Sequence, residues 1–270
     1  MHLNTSLLRK FLFVVPLVFS GEQVFAQTAS LASHQAVYNL TLADVADGGG
    51  IESVRGRIFM DVDNTCSGHV VTQRMLLELT NESGGNTVSD FKLSTWEDLS
   101  GNLMRFTVLN SLNGRIVEKS DGVATLQRTE GEVVFKDDSS APLTLPEGVM
   151  FPTTHTKTIV QAALEGKNIV AAKIYDGSGR DGLQDSLTVI GKPGKSDLEI
   201  LAETEMKDMA SWLVQLSFFD LEKQTSEPSY EVSLRIHENG VGTNLLLKYR
   251  DFSLNGTLVD LKLKEAADCK

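Results

Sequence analysis

Residues 230–237 read YEVSLRIH, and apolar and polar side chains alternate along this stretch without exception. The apolar set is Tyr230, Val232, Leu234 and Ile236. A period of two is typical of a β-strand that has one face in a core and the other face in water. The stretch therefore predicts one strand of an antiparallel sheet, with His237 on the water-facing side.

The same alternation recurs along the rest of the chain. Apolar positions that share one parity include Tyr38, Leu40 and Leu42; Ile58, Met60 and Val62; Met104, Phe106 and Val108; Trp212, Val214, Leu216 and Phe218; and Val259, Leu261 and Leu263. Such segments, separated by glycine-rich breaks, predict roughly a dozen to fifteen strands. The sequence has no repeat of fixed period and no low-complexity linker.

Dipeptides of asparagine or aspartate with glycine separate the alternating segments. We interpret four of them as hairpin turns, because a two-residue turn of type I′ needs positive φ at both positions and these residues tolerate it. They are Asn113-Gly114, Asp121-Gly122, Asn239-Gly240 and Asn255-Gly256. Longer glycine-rich loops are predicted at 47–50, 82–85 and 176–179.

One stretch has the period of a helix. Pro152, Thr153 and Thr154 open it, with either threonine as the predicted N-cap, and Gly166 closes it. The residues that share one helical face are Thr156, Ile159, Val160, Ala163 and Leu164. For residues 197–209, alternation at the start indicates a strand and the remainder indicates a helical turn.

A sheet of so many strands does not stay flat, because strand twist makes long open sheets curl and because exposed edges are a liability. The predicted fold class is mainly β: a large antiparallel sheet curled into a β-spiral or incomplete barrel, with one helix at its concave side or open end. If the apolar parity faces inward, the interior of the sheet is apolar. An interior filled by side chains is favoured, and a hollow one that holds an apolar ligand is the alternative.

The first residues have the three-part layout of a secretory signal peptide. The basic pair Arg9-Lys10 precedes the apolar run 11–19, and the small residue Ala26 stands at the expected cleavage site. A run of this length is too short to span the bilayer as a helix. We therefore expect residues 1–26 to be removed and the mature chain to reside in the bacterial periplasm.

The mature chain, residues 27–270, is predicted to be a single domain, because barrels and sandwiches of this size often form one unit. Removal of Arg9, Lys10 and Glu22 changes the formal net charge from −11 to −12. A chain this acidic is not expected to bind nucleic acid or an anionic lipid surface through its overall charge. No later segment is long and apolar enough to predict a transmembrane helix.

Cys66 and Cys269 are the two cysteines of the sequence. In an oxidising compartment an even pair is expected to form a disulfide. This bond would tie the C-terminal tail to an early strand. A redox-active pair is disfavoured because the two residues lack the Cys-x-x-Cys spacing.

The residue patterns of common enzymes and metal sites are missing from the sequence. Ser178 lies between two glycines but lacks the Gly-x-Ser-x-Gly spacing of a hydrolase nucleophile. The loop that contains Asp176, Ser178 and Asp181 has Leu187 at the twelfth position, where a calcium loop needs an acid. No phosphate-binding loop of the Gly-x-x-x-x-Gly-Lys-Ser/Thr type occurs.

Four histidines follow the predicted signal, and none has a second ligand at metal-binding spacing. They are His34, His69, His155 and His237. His237 is expected at the surface, and His155 is expected to form a hydrogen bond at the start of the helix rather than to act in catalysis. We therefore predict no catalytic residue, no metal and no cofactor.

Several stretches resemble the cell-envelope integrity protein EipB family of alphaproteobacteria, over nearly the whole mature chain. Residues 34–40 resemble the first strand of that family, and residues 145–155 resemble its central Leu-Pro…Phe-Pro-Thr…His segment. Residues 212–220 and 230–241 follow in the expected order. The motif positions, for which we expect a structural or binding role, are Leu145, Pro146, Gly148, Phe151, Pro152, Thr153, His155, Trp212, Asn239 and Gly240.

This resemblance implies a periplasmic β-spiral around a central helix, with a disulfide between Cys66 and Cys269. It also implies a role in cell-envelope integrity and stress resistance, a periplasmic tetratricopeptide-repeat protein as a partner, and no catalytic residues. The leading hypothesis is a non-enzymatic envelope factor that acts by protein or lipid contacts. The alternative is a carrier of lipid or lipoprotein acyl chains in an apolar concavity, and an enzyme of envelope polymers comes third.

Overall fold

The computed structural model describes residues 28–136, 141–221 and 226–269, so the predicted signal peptide lies outside the described residues. These residues contain fifteen strands in one sheet and one α-helix, α1, at Pro152–Leu164. The strands are β1 (His34–Val45), β2 (Ile51–Asn64), β3 (Gly68–Asn81), β4 (Asn86–Asp98), β5 (Leu103–Leu112), β6 (Arg115–Leu126), β7 (Gly131–Phe135), β8 (Leu143–Leu145), β9 (Val149–Met150), β10 (Ile169–Tyr175), β11 (Leu183–Gly194), β12 (Ser211–Asp220), β13 (Tyr230–His237), β14 (Gly242–Lys248) and β15 (Phe252–Leu263).

The sheet consists of two meanders that meet at β1 and β15. Within β1–β8, and again within β9–β15, strands that are consecutive in sequence pair with each other. The antiparallel pairing of β1 with β15 joins the two halves, and β8 and β9 stand at the two edges. The result is a nearly closed, barrel-like sheet. The prediction of a mainly β fold with a large curled antiparallel sheet and one helix is confirmed.

The helix connects β9 to β10, the one parallel pair of strands among the described residues. Its N-cap is Phe151, so the prediction that Thr153 or Thr154 caps it is wrong. Neither threonine is needed as a cap because a side chain from β4 accepts hydrogen bonds from both of their amides, as described below. Gly166 follows the helix with a φ of 73°, a conformation that favours glycine after a helix C-terminus.

The apolar parity of the strands faces the interior, except at Val259 of β15, which is 43% exposed because a register shift opposite Val37 and Tyr38 moves it off the inner face. Ala36, Tyr38 and Leu40 of β1 are each at most 1% exposed. On the other side of the barrel, Ile159 and Val160 of α1 pack in one cluster with apolar residues of β11, β12 and β13. Burial of a side chain of this size stabilises the fold by about 1.5–3 kcal/mol. The helix is therefore held on the inner face of the sheet by its apolar side.

Two of the four predicted hairpin turns are wrong. Asn113-Gly114 and Asn239-Gly240 do connect adjacent strands, whereas Asp121-Gly122 lies inside β6 and Asn255-Gly256 lies inside β15. At both errors the glycine is required by packing. A Cβ on Gly122 would collide with the ring of Phe106, and a Cβ on Gly256 would crowd the side chain of Leu245. At these two positions, glycine indicates close packing against a neighbouring strand rather than a turn.

Residues 197–209 form neither of the two predicted elements in full. A short 3₁₀ helix at Glu199–Leu201 is followed by a series of turns. Leu201 and Met206 are each 1% exposed and belong to the core cluster that β1 and β15 line. The apolar residues of the segment therefore cover the core from a loop, which explains why their spacing fits no regular period.

A disulfide joins Cys66, in the connection between β2 and β3, to Cys269 in the tail after β15. The two Cα atoms are 5.4 Å apart, although the residues are separated by 203 positions in sequence. The bond fixes the C-terminal tail against the end of the barrel at which β1 begins.

Candidate functional site

The interior contains an apolar cavity of about 280 Å³. Its wall is made by the inward faces of β1–β4 on one side, β12–β14 on the other, and the first two turns of α1. The lining residues are Leu31, Ala32, His34, Tyr38, Met60, Val62, Val71, Gln73, Leu93, Pro152, Thr153, Thr156, Ile159, Val214, Leu216, Leu234, Ile236, Asn239, Gly240, Gly242 and Leu245. The curled sheet is therefore packed in part and hollow in part.

Few polar groups face this cavity, and most of them are bonded to the protein. The hydroxyl of Tyr38 donates to the carbonyl oxygen of Gly242 at 2.7 Å, and burial raises the pKa of Tyr38. Thr156 Oγ1 donates to the carbonyl oxygen of Pro152 at 2.9 Å. These bonds satisfy the two hydroxyls, whereas the buried Oγ1 of Thr153 on the same wall has no hydrogen-bond partner among the described residues. The surface that faces the cavity is therefore mainly hydrocarbon.

The N-terminus of α1 is fixed by a carboxylate from the sheet. Glu97 of β4 is 1% exposed, and its Oε1 accepts a hydrogen bond from the amide of Thr153 at 2.6 Å. Its Oε2 accepts from the amide of Thr154 at 3.3 Å. Amides of the first helical turn have no partner within the helix, and a negative charge there is favoured by the helix dipole. Burial nevertheless raises the pKa of Glu97.

A second polar chain holds the same part of the helix. Lys157 Nζ donates to His69 Nε2 at 2.7 Å, so the proton of the neutral His69 ring lies on Nδ1 and is donated to Asn64 Oδ1 at 2.6 Å. Burial, together with the positive charge of Lys157, lowers the pKa of His69. The chain links α1 to the ends of β2 and β3, next to the disulfide loop.

Two histidines are buried in neutral form. His155 lies 3.3 Å from Ser186 Oγ through its Nε2 atom, and burial lowers its pKa to about 4. His237 is fully buried and lies 3.3 Å from Thr243 Oγ1, and burial again lowers the pKa to about 4. The surface position expected for His237 is wrong. It is the last residue of β13, and the tight turn back to Val241 encloses it although its parity points away from the core.

The loop that contains Asp176 and Asp181 lies near a third acid, Glu118 of β6, and the three carboxylates repel one another. Burial, followed by the charges of Asp181 and Asp176, raises the pKa of Glu118. Asp176 accepts a hydrogen bond from the amide of Ser178 at 2.8 Å, which is a local turn contact. Within the described residues, no group of three or more His, Cys, Asp or Glu side chains is arranged to hold a metal ion.

The structure divides the ten motif positions into separate groups. Pro152, Thr153, Asn239 and Gly240 come together on the wall of the interior cavity. The remaining six lie elsewhere. Leu145 and Phe151 are buried in a cluster with β5–β7, and Trp212 packs against the second half of α1. His155 contacts Ser186, and Pro146 and Gly148 are exposed in the turn before β9. Gly148 has a φ of 82°, which is a reason for glycine there.

Some residues around the site were not found from the sequence. Glu97, Lys157 and Gln73 were given no role, and Leu31 was not considered. For Glu97 a signal was present, because it shares the inward parity of Phe91 and Leu93 in β4 and an acid at such a position needs a buried partner. For Leu31 there was none, because it precedes the first alternating segment.

We expect Glu97→Ala to lower the free energy of unfolding by about 3 kcal/mol, because the buried amide of Thr153 and the partly buried amide of Thr154 would lose their acceptor. Urea unfolding of the purified variant measures this. Glu97→Gln, which keeps one acceptor oxygen, is expected to lose less. Glu132→Ala, at an exposed acid of β7, is the matched control and should stay within about 0.5 kcal/mol of the parent. Equal stability of Glu97→Ala and Glu132→Ala would contradict the anchoring role.

In the portion of the chain that the structure describes, no helix has both the length and the apolar composition needed to cross a bilayer.

Comparison with known proteins places these features in a family. A sequence profile of the EipB-like family matches residues 25–265. The cell envelope integrity protein EipB of Brucella abortus (strain 2308) is 27% identical over 262 residues, which cover 93% of this chain and 91% of that protein. The crystal structure of a beta-barrel-like protein with a domain of unknown function, also from Brucella abortus, has a TM-score of 0.82 at 24% identity. It matches 88% of this chain and 100% of the other. Since the profile covers nearly the whole chain, the protein belongs to the EipB-like family.

Proposed function

We propose that this protein is a non-enzymatic periplasmic factor that maintains the integrity of the cell envelope and its resistance to stress through protein or lipid contacts. The observation that carries the proposal is the match, over 93% of the chain, to a relative named for cell envelope integrity. The signal-like first residues support export to the periplasm. The buried histidines and Glu97 are engaged in holding the fold, which supports a role without catalysis.

Deletion of the gene in its native host tests this proposal. We expect the deletion strain to become more sensitive to detergent and to cell-wall antibiotics, with resistance restored by a plasmid copy of the full chain. A copy that lacks residues 1–26 serves as the matched control and should fail to restore resistance, because it would not be exported. Unchanged sensitivity of the deletion strain would refute the envelope role.

A periplasmic tetratricopeptide-repeat protein is proposed as a partner. Capture of the tagged protein from periplasmic extract, followed by mass spectrometry, is expected to recover such a repeat protein. The proposal fails if the repeat proteins of the periplasm are recovered no more often than with an unrelated tagged periplasmic protein.

A second candidate function is that of a periplasmic carrier for lipid or lipoprotein acyl chains. The specific observation in its favour is the apolar cavity of about 280 Å³ inside the sheet. Sites for small molecules are concave, mostly apolar and few per protein. Native mass spectrometry of protein purified from the periplasm is expected to show an added mass that organic solvent extracts. Protein that remains ligand-free after incubation with total envelope lipid would remove this candidate.

A further inference from the structure

The segment before the first strand lies across one end of the interior cavity. We call residues 28–33 the leading segment; in it, Leu31 and Ala32 belong to the wall of the cavity. Both residues also line a second, outer space of about 780 Å³, which we call the tail pocket. Asn239 is a third residue shared by the two spaces. The cavity and the tail pocket therefore adjoin at the leading segment.

The leading segment forms six hydrogen bonds with its surroundings, and four of them are made by Ala32 and Ser33 at its C-terminal end. The amide of Ala29 donates to Gln161 Oε1 of α1 at 2.8 Å, and the amide of Ala32 donates to the carbonyl oxygen of Asn239 at 2.8 Å. Asn64 Nδ2 donates to the carbonyl oxygen of Leu31 at 2.6 Å. Residues 28–31 are held by two of these bonds, each individually weak, so this part of the leading segment opens more easily than the sheet does.

The side chain of Leu31 is seated against Gly240. A Cβ on Gly240 would collide with Leu31 Cδ2, so the glycine makes room for the leucine. Leu31 also packs with the apolar cluster of α1, β12 and β13. The cavity and the tail pocket are thus separated by the apolar side chain of Leu31, which is held by packing rather than by hydrogen bonds.

The size of the cavity indicates how much of a ligand it takes. A methylene group occupies about the volume of a water molecule in the liquid, roughly 30 Å³. A cavity of about 280 Å³ therefore holds on the order of nine such groups, which is one short alkyl chain. Because the cavity wall is mainly apolar, the polar end of such a ligand has to lie outside it.

The tail pocket restricts the charge of that polar end. Its wall combines the leading segment with residues 263–267 and with Cys269 of the disulfide. Lys264 is the one cation among its lining residues, and its ammonium already bonds to Asp61 and Asp63. Glu205 and Glu265 are acids in the same wall. An anionic head group would meet net negative charge there, whereas an uncharged or zwitterionic one would not.

We propose that the interior cavity and the tail pocket form one binding site for a single-chain amphiphile with an uncharged or zwitterionic head group, and that Leu31 is the gate between them. About nine methylene groups of the chain lie in the cavity, and the head group lies in the tail pocket. This inference rests on the second candidate function, and it names the class of ligand and the route by which the ligand enters.

Binding of two ten-carbon probes below their micellar concentrations tests the site. By isothermal titration calorimetry, decyl maltoside is expected to bind the protein one to one, and decanoate at least tenfold more weakly. Val71→Phe, which fills the cavity, is expected to weaken binding of decyl maltoside at least tenfold. Val259→Phe makes the same change on the outer face of β15 and should change affinity less than twofold. Thermal melts verify that both variants fold.

The gate is tested by rates. Leu31→Ala is expected to raise both the association and the dissociation rate of decyl maltoside at least fivefold in stopped-flow displacement of an uncharged fluorescent probe. Unchanged rates overturn the gate. Equal affinities of Val71→Phe and Val259→Phe overturn the assignment of the cavity, even if the protein still carries lipid elsewhere. Absence of binding by the parent protein overturns the site, whereas the carrier function is decided separately by native mass spectrometry with envelope lipid, and the envelope role by the deletion strain.

Discussion

Replacement of both cysteines, Cys66→Ser with Cys269→Ser, is expected to lower the free energy of unfolding by about 5 kcal/mol. The bond closes a loop whose ends are 203 positions apart, and it therefore restricts the conformations of the unfolded chain. Without the bond, the unfolded chain gains conformational entropy and becomes more stable relative to the folded protein. A loss of this size is comparable with the whole stability of many domains. For a chain of this length it corresponds to a fall in the melting temperature of about 10–20 °C.

Calorimetry of the parent and the double variant, each with and without reductant, measures this effect. Reductant should bring the parent down to the melting temperature of the double variant and should leave the double variant unchanged. Ser67→Ala, next to Cys66 in the same exposed loop, is the matched control and should behave like the parent. If the double variant melts within about 2 °C of the parent, the disulfide does not stabilise the fold to the expected degree.

The second large effect is a loss of stability in acid that comes from the buried histidines. Burial lowers the pKa of both His155 and His237 from 6.5 to about 4. Between these values the unfolded chain binds the protons and the folded protein does not, so the stabilisation is present above pH 6.5 and is lost as the pH falls toward 4. Each pKa unit corresponds to about 1.4 kcal/mol, so each histidine is worth about 3 kcal/mol over this range.

Other titratable groups change how much stability the whole protein loses in acid, but they do not change the sign of the histidine contribution. Burial also lowers the pKa values of His34 and His69, which adds to the loss in acid. Glu97 acts in the opposite direction, because its pKa is raised and the cost of burying its charge disappears as the pH falls. A comparison of parent and variant therefore isolates each histidine better than the pH profile of the parent alone.

Urea unfolding at pH 7 and at pH 4.5 tests the histidine prediction. We expect His237→Gln to reduce the difference in stability between the two pH values by about 2–3 kcal/mol relative to the parent. Glu132→Gln, at an exposed position, should leave the difference unchanged. The same pH difference in His237→Gln and the parent would show that His237 is not buried in neutral form in the native state.

The fold could be predicted because its main signal is local. Alternation at Tyr38–Leu40 or Val232–Ile236 depends only on which side of a strand each residue faces, and it holds wherever the strand pairs. The helix followed in the same way from its period and its terminal glycine. The N-cap was wrong because the true partner of its amides is Glu97, 56 residues earlier in the chain.

The errors at glycine and histidine have a common cause. Asp121-Gly122 and Asn255-Gly256 have the composition of turns, but contacts across neighbouring strands require their glycines. His237 has the parity of a surface residue, but the next turn covers it. In each case the deciding neighbour lies on another strand or beyond a turn, so alternation along the strand itself carries no information about it.

The sequence by itself determined the β class, the alternation of side chains along the strands, the single helix and the pairing of the two cysteines, since side-chain period is a local property and only two cysteines were present. Tertiary structure alone decided that the apolar parity faces inward, that a cavity remains between the helix, β1–β4 and β12–β14, and that Leu31 meets Gly240 at its end. A cavity is the volume that packed side chains from distant strands fail to fill. Its existence therefore depends on the curl and register of the whole sheet, which no single segment specifies.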